Sequence, residues 1–171
     1  MKLFFSSNIN KQIVFETIEQ ILTENKFNII SKDMERPWGG FFVIQEEQAR
    51  AFIKYYFTPF NEKDILKDNK ISPKILIVEP GKRLSWQYHF RRAELWKVIS
   101  GEVGVVTSDT DEQKEMKKYN ANEIIKLEKG ERHRLIGLDM WGIIAEIWQH
   151  TDKHHPSDEE DIIRLQDDYG R

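Results

Sequence analysis

Between residues 10 and 25 the apolar positions recur near the helical period, with Ile13, Val14, Ile18, Ile21 and Leu22 set among polar residues and Ser7, Asn8 or Asn10 available as an N-cap. This predicts one amphipathic helix, whose apolar stripe is a packing face against the rest of the chain or a second subunit. Beyond it the rhythm shortens. Phe27 to Ile30 and Phe41 to Ile44 read as short strands rich in aromatic and β-branched residues, separated by the turn-forming Arg36-Pro37-Trp38-Gly39-Gly40. Residues 50 to 57 give another strand candidate, although Ala51-Phe52-Ile53-Lys54-Tyr55-Tyr56-Phe57 is too continuous for period alone to separate strand from helix. Thr58 to Ser72 is polar and lysine-rich and reads as a loop, or a loop holding a turn of helix, at a barrel mouth.

From Lys74 onward short strands alternate with turns: Lys74 to Val78, Glu94 to Ile99, Val103 to Thr107, Gln113 to Tyr119, Glu123 to Leu127, Arg132 to Leu135 and Trp141 to Trp148. Strands about eight to twelve residues apart predict an all-β sandwich or barrel of the jelly-roll kind. After Ser157-Asp158-Glu159-Glu160, which resembles a capped start, a short helix or strand is expected near Asp161 to Leu165. At 171 residues the chain holds one core, divided here into an N-terminal helix and extension (1–33) and a barrel with its C-terminal tail (34–171).

Composition removes several function classes. The 26 basic and 29 acidic residues are interleaved at a net charge of −3, so there is no extended basic stripe for nucleic acid. Apolar runs such as Ile75-Leu76-Ile77-Val78 fall far short of the roughly 18 to 20 residues of a membrane span. The N-terminal apolar patch is interrupted by Asn8, Asn10 and Lys11 before a signal core forms, and there is no cysteine, which together favour the cytoplasm.

The chemistry concentrates between Gly81 and Gly101, where Gln87, His89 and Glu94 stand at the spacing G-x5-Q-x-H-x4-E-x6-G, with His133 following in Lys129-Gly130-Glu131-Arg132-His133. Alternation along a strand puts Gln87 and His89 on one face, and a turn can return Glu94 to them, so these four residues form a candidate site for a divalent metal. Such donors suit zinc first, with manganese, iron, nickel or cobalt as alternatives. Gln87 is a weak ligand that can instead hydrogen-bond to His89. His150, His154 and His155 lie in a polar segment and read as a solvated loop.

The spacing resembles the two cupin motifs, usually written G-x5-H-x-H-x3/4-E-x6-G and G-x5-P-x-G-x2-H-x3-N. Gln87 replaces the first histidine, and Asn122, Glu128 and Gly137 replace the glycine, proline and asparagine of the second motif, whereas Gly130 and His133 match. Three further stretches carry a narrower likeness: Arg36-Pro37-Trp38-Gly39, then Gly81 to His89 running on through Arg92-Ala93-Glu94-Leu95-Trp96, and Asp161 to Arg171. Over residues 36 to 171 the chain resembles the type II mannose-6-phosphate isomerase domain, known alone or fused behind a sugar-1-phosphate guanylyltransferase. The resemblance implies a cupin-type double-stranded jelly-roll barrel, a metal held by a Gln-x-His pair, Glu94 and His133, and interconversion of mannose 6-phosphate and fructose 6-phosphate. Arg91 and Leu95 stand where the family often has histidine, and Trp148 where glutamine is frequent.

Aldose–ketose isomerisation needs one base and one electrophile, and a metal supplies the second. Glu146 is the candidate base, since Ala145-Glu146-Ile147 buries a carboxyl in an apolar strand, although it could equally be the buried partner of an arginine. Arg92, two residues before Glu94, is expected on the same side. Arg83, Arg164 and Arg171 are candidates for a phosphate group, the last as part of a C-terminal lid, with surface salt bridges as the plain alternative. Tyr88, with Trp86 and Trp96, can wall a sugar ring or simply pack the core. Lys97 alternates away from Glu94 and is expected to point outward. Another sugar phosphate, such as a heptose phosphate, and a non-catalytic sugar-binding or regulatory cupin are the competing readings. Pairing through edge strands predicts a homodimer.

Overall fold

The computed structural model describes residues 3–60, 65 and 70–170. Helix α1 (Lys11–Glu24) starts where expected, with Asn10 as N-cap accepting from the Gln12 N–H at 2.8 Å. Strands β1 (Ile29–Asp33) and β2 (Gly39–Ile44) follow and pair antiparallel. The ambiguous stretch resolves as helix α2 (Ala49–Tyr56), correcting the strand candidate. Ala49, Phe52, Ile53 and Tyr56 are buried while Arg50, Ala51, Lys54 and Tyr55 are exposed, which is a helical period that the adjacent aromatics disguise.

The remaining strands are β3 (Ile71–Val78), β4 (Trp86–His89), β5 (Arg92–Ser100), β6 (Glu102–Ser108), β7 (Lys117–Asn120), β8 (Ile124–Leu127), β9 (Arg132–Gly137), β10 (Gly142–His150) and β11 (Ile162–Gln166). β3 opens at Ile71, inside the expected loop, whose middle lies outside the described residues. One sheet runs β1-β2-β3-β10-β5-β8 and the other β11-β4-β9-β6-β7, with antiparallel pairing throughout. The fold is all-β, a cupin-type double-stranded jelly-roll barrel with an N-terminal helix. β1, within the expected extension, is an outer strand of the six-stranded sheet.

Strand alternation sorts the side chains into two cores. Ile75, Ile77, Leu95, Ile143, Ala145 and Ile147 face outward under α1 and α2, whereas Leu76, Val78, Trp96, Val98, Leu135 and Ile144 fill the space between the sheets. Along the inner face each central strand turns from apolar to polar at the same end. β10 runs Ile144, Glu146, Trp148, His150, while its neighbours present Leu76, Lys74, Ser72 and Val98, Trp96, Glu94, Arg92 in register. One end of the barrel is therefore packed and the other is a polar cavity.

Two of the departures from the cupin pattern have local causes. Asn122 holds φ 78°, a left-handed conformation that asparagine tolerates nearly as glycine does. Gly137 stands where a Cβ would come within 2.0 Å of the Glu79 carbonyl oxygen, so the asparagine of the pattern does not fit.

Candidate metal centre

His89 closes β4, Glu94 lies early in β5 and His133 lies at the start of β9, so the two-residue turn between β4 and β5 and the pairing of β4 with β9 bring them together. All three are buried, and their ligand atoms lie within 4.8 Å of one another. His89 Nε2 is 3.2 Å from one Glu94 oxygen and His133 Nε2 is 3.5 Å from the other. Two ligands about 2.1 Å from a tetrahedral ion are about 3.4 Å apart, so both separations suit one.

His133 carries the most telling atom. Its Nδ1 is 3.0 Å from the Glu131 carbonyl, a contact only a protonated Nδ1 makes favourable, which leaves Nε2 as a bare lone pair. That Nε2 is buried with no hydrogen-bond partner among the described residues and faces a carboxylate oxygen. Burial pushes the ring's pKa down to about 4, so at neutral pH a proton does not resolve the clash. A cation does. Burial would raise the Glu94 carboxyl, yet His89 and Arg92 hold it well below the ordinary range.

Arg92 lies against the centre. Its Nε donates to Glu94 at 2.7 Å, one terminal nitrogen lies 3.1 Å from His89 Nε2, and the other donates to the Ser157 hydroxyl at 2.8 Å. An ion at the three residues and the Arg92–His89 contact draw on the same lone pair, so the two exclude one another. Gln87 is the cross-strand partner of His133, and its amide oxygen accepts from the Ser85 hydroxyl at 2.6 Å. It lines the cavity together with Glu94.

The cavity opens to solvent at its mouth, and its walls include Glu146, Lys74, Trp148, Glu159, Arg36 and Arg164. Glu146 is buried, with burial first and then the Glu94 charge pushing its carboxyl up to about 8. The Trp96 indole N–H bridges the two carboxyls, at 2.9 Å from Glu146 and 3.1 Å from Glu94. Of the expected residues, Arg92, Arg164, Gln87, Glu94 and Glu146 thus line one cavity. Arg83 does not, being half-exposed and paired with Asp168. Tyr88 is on the other face of β4, with the Arg132 guanidinium 4.3 Å over its ring. Arg171 lies outside the described residues.

His150 is buried rather than solvated: its Nδ1 accepts from the Ser157 N–H at 2.9 Å and its Nε2 lies 2.9 Å from the Ser72 hydroxyl, while His154 and His155 are exposed as expected. Leu95 packs on the outer core, so a histidine there would not face the cavity. Arg91 ties down the C-terminal segment through Asp158 at 3.0 Å and Asp161 at 3.4 Å. Only Trp148 among the three family departures lies in the cavity. Lys74 is a further cavity residue, and a lysine at an inward position of an apolar strand is the same signal that singles out its cross-strand partner Glu146.

A family profile described as mannose-6-phosphate isomerase C-terminal matches residues 45–167. The chain is 29% identical over 94% of its length to a mannose-1-phosphate guanylyltransferase of Salmonella montevideo and 27% identical, again over 94%, to that of Escherichia coli K12. In both cases it spans only 28% of the relative. Among solved structures, tomato vicilin superposes on 74% of this chain and 32% of its own at a TM-score of 0.51 and 14% identity, a likeness of fold alone. With the profile covering most of the barrel, the chain belongs to the mannose-6-phosphate isomerase C-terminal family.

Proposed function

We propose that the protein is a divalent-metal-dependent aldose–ketose isomerase of a phosphorylated sugar, with mannose 6-phosphate and fructose 6-phosphate as the first pair to test. The observation that carries this reading is a buried His-Glu-His cluster whose Glu94 lines the same cavity as a separate carboxyl, Glu146, with its pKa raised toward neutrality. A divalent ion held by His89, Glu94 and His133, zinc first, supplies the electrophile for the sugar oxygens. Glu146 takes the proton from the second sugar carbon and returns it to the first, while a hydroxyl proton moves to the former carbonyl oxygen. A carboxyl near 8 is a far stronger base than an ordinary glutamate and is still deprotonated in part at neutral pH. Arg92 and the Trp96 N–H hold the Glu94 carboxylate in place, keeping the two carboxyls in distinct roles.

The test is elemental analysis of untagged protein together with mannose 6-phosphate conversion before and after chelation. About one ion per chain, chelation-sensitive turnover and its loss in His89→Ala support the isomerase. Metal-loaded protein that turns over no hexose or heptose phosphate overturns it. Trp148, set in the cavity where the family often has glutamine, is the observation favouring the second reading, a sugar-binding module without turnover.

A further inference from the structure

Lys74 is an unusual lysine. Its side chain is 7% exposed, and its ammonium lies 3.4 Å over the Trp148 ring and 5.2 Å from the Phe41 ring, so two aromatic faces fix its position. Its cross-strand neighbour in the barrel is Glu146, a carboxyl that burial and Glu94 keep largely protonated at neutral pH. The charge is met instead by Glu159, whose carboxylate lies 2.9 Å away on a side chain 56% exposed. Glu159 belongs to the short 3-10 turn Glu159–Asp161 that precedes β11 at the cavity mouth. Burial would raise its carboxyl, yet the fields of Lys74, Arg92 and Arg36 hold it low. Three cations thus bear on one carboxylate that is anchored to the barrel through a half-exposed side chain.

We propose that Lys74, with Arg36 and Arg164 on the cavity wall, forms an oxyanion subsite in which Glu159 sits as a displaceable counter-ion, and that the phosphate of the substrate takes its place. An ion pair with one partner in solvent contributes little, whereas a phosphate dianion brings several oxygens and more charge to the same ammonium. Arg36 is also paired with Asp33 at 2.7 Å, so it serves the subsite chiefly through its field. The placement suits a sugar phosphate. Lys74 and Glu94 lie on the two strands flanking β10, about 10 Å apart across it and offset by two residues along it, and both side chains line the same cavity. The inference rests on the reading above for the sugar that carries the phosphate, but not for the anion site itself.

The experiment titrates the full chain, chelated and dialysed, with inorganic phosphate, with a hexitol phosphate that has no carbonyl, and with the neutral hexitol, followed by calorimetry. Lys74→Met is expected to weaken both phosphates by about 10- to 100-fold. Glu159→Gln is expected to tighten them by about 2- to 5-fold, because it removes the competing carboxylate. Opposite signs for the two halves of one salt bridge are what a purely structural pair would not give. His133→Ala should leave inorganic phosphate binding within about 2-fold, which separates the subsite from the metal centre. Competition between hexitol phosphate and inorganic phosphate, with no binding of the hexitol, assigns the shared group. If Lys74→Met does not fold, Glu159→Gln decides alone, since its side chain is half-exposed. Phosphate binding that ignores both substitutions, or that Glu159→Gln weakens, overturns the subsite even in an active isomerase. Binding with the expected signs in a protein without turnover keeps the subsite and removes the isomerase.

Discussion

Replacing Glu94 with Gln tests whether Arg92 and Glu94 act as one buried unit. Their side chains are 1% and 2% exposed and meet at 2.7 Å, so neutralising the carboxylate strands a guanidinium out of water. Breaking a buried pair from one side costs about 3–5 kcal/mol, a large part of the roughly 5–15 kcal/mol by which domains are stable. For a chain of this size that lowers the melting temperature by about 6–20 °C. Arg92→Met strands the carboxylate instead and also loses the Ser157 bond and the contact with the Trp148 ring at 3.5 Å. Those extra losses recur in the double variant and cancel in the cycle. With both charges removed, the double variant should be little worse than the poorer single, giving a coupling of about 2–4 kcal/mol. Urea unfolding of the four chelated proteins measures it. Effects that add within about 0.5 kcal/mol would refute the claim that the pair is buried and mutually dependent.

Three further outcomes follow from the same geometry. His133→Ala should weaken zinc by more than about 100-fold in a competition titration, since loss of an outer partner alone costs 10- to 100-fold. With Glu146 as base, kcat/KM should rise with pH and level off above about 8, and Glu146→Gln should abolish turnover while keeping the bound metal; a flat profile removes Glu146 from that role. His150 has its pKa lowered to about 4, first by burial and then by Lys70, against about 6.5 when unfolded. Its neutral form therefore contributes stability above about pH 6.5 that is lost, by a few kcal/mol, as pH falls toward 4. Thermal unfolding of wild type and His150→Asn at pH 8 and pH 5 checks this, and an unchanged pH dependence in the variant refutes it.

Much of the site was legible because spacing and alternation are enough to place residues on one strand. Gln87 with His89 and Arg92 with Glu94 need only the period of two, and the glycines mark where the strands turn. α2 was less clear because Phe52-Ile53 and Tyr55-Tyr56-Phe57 each pair an apolar run with a helical period, and only burial shows which period is used. His150 looked solvated because its sequence neighbours are polar, whereas its partners Ser72 and Ser157 come from β3 and from the C-terminal segment. Arg83 and Tyr88 lie within a family-like stretch yet off the cavity, since membership of a motif does not fix the face a side chain takes.

The charges around the cavity bear on which ligand it can hold. Its charged lining residues are Arg36, Lys74, Arg92 and Arg164 against Glu94, Glu146 and Glu159. Glu146 is largely neutral at physiological pH, while Asp33 pairs with Arg36, Glu94 with Arg92, and Glu159 with Lys74, the last through a carboxylate held at the surface. A divalent ion at His89, Glu94 and His133 would add positive charge to this lining. A neutral sugar would leave that charge unanswered. A sugar phosphate answers it with a dianion at Lys74 and polar oxygens at the metal centre, two anchor points on strands that share β10 as their neighbour. Glu146 lies in β10 between them, in register with Lys74 on one side and Trp96 on the other, which is where a base acting on the carbons between a phosphate and a metal-held oxygen has to be.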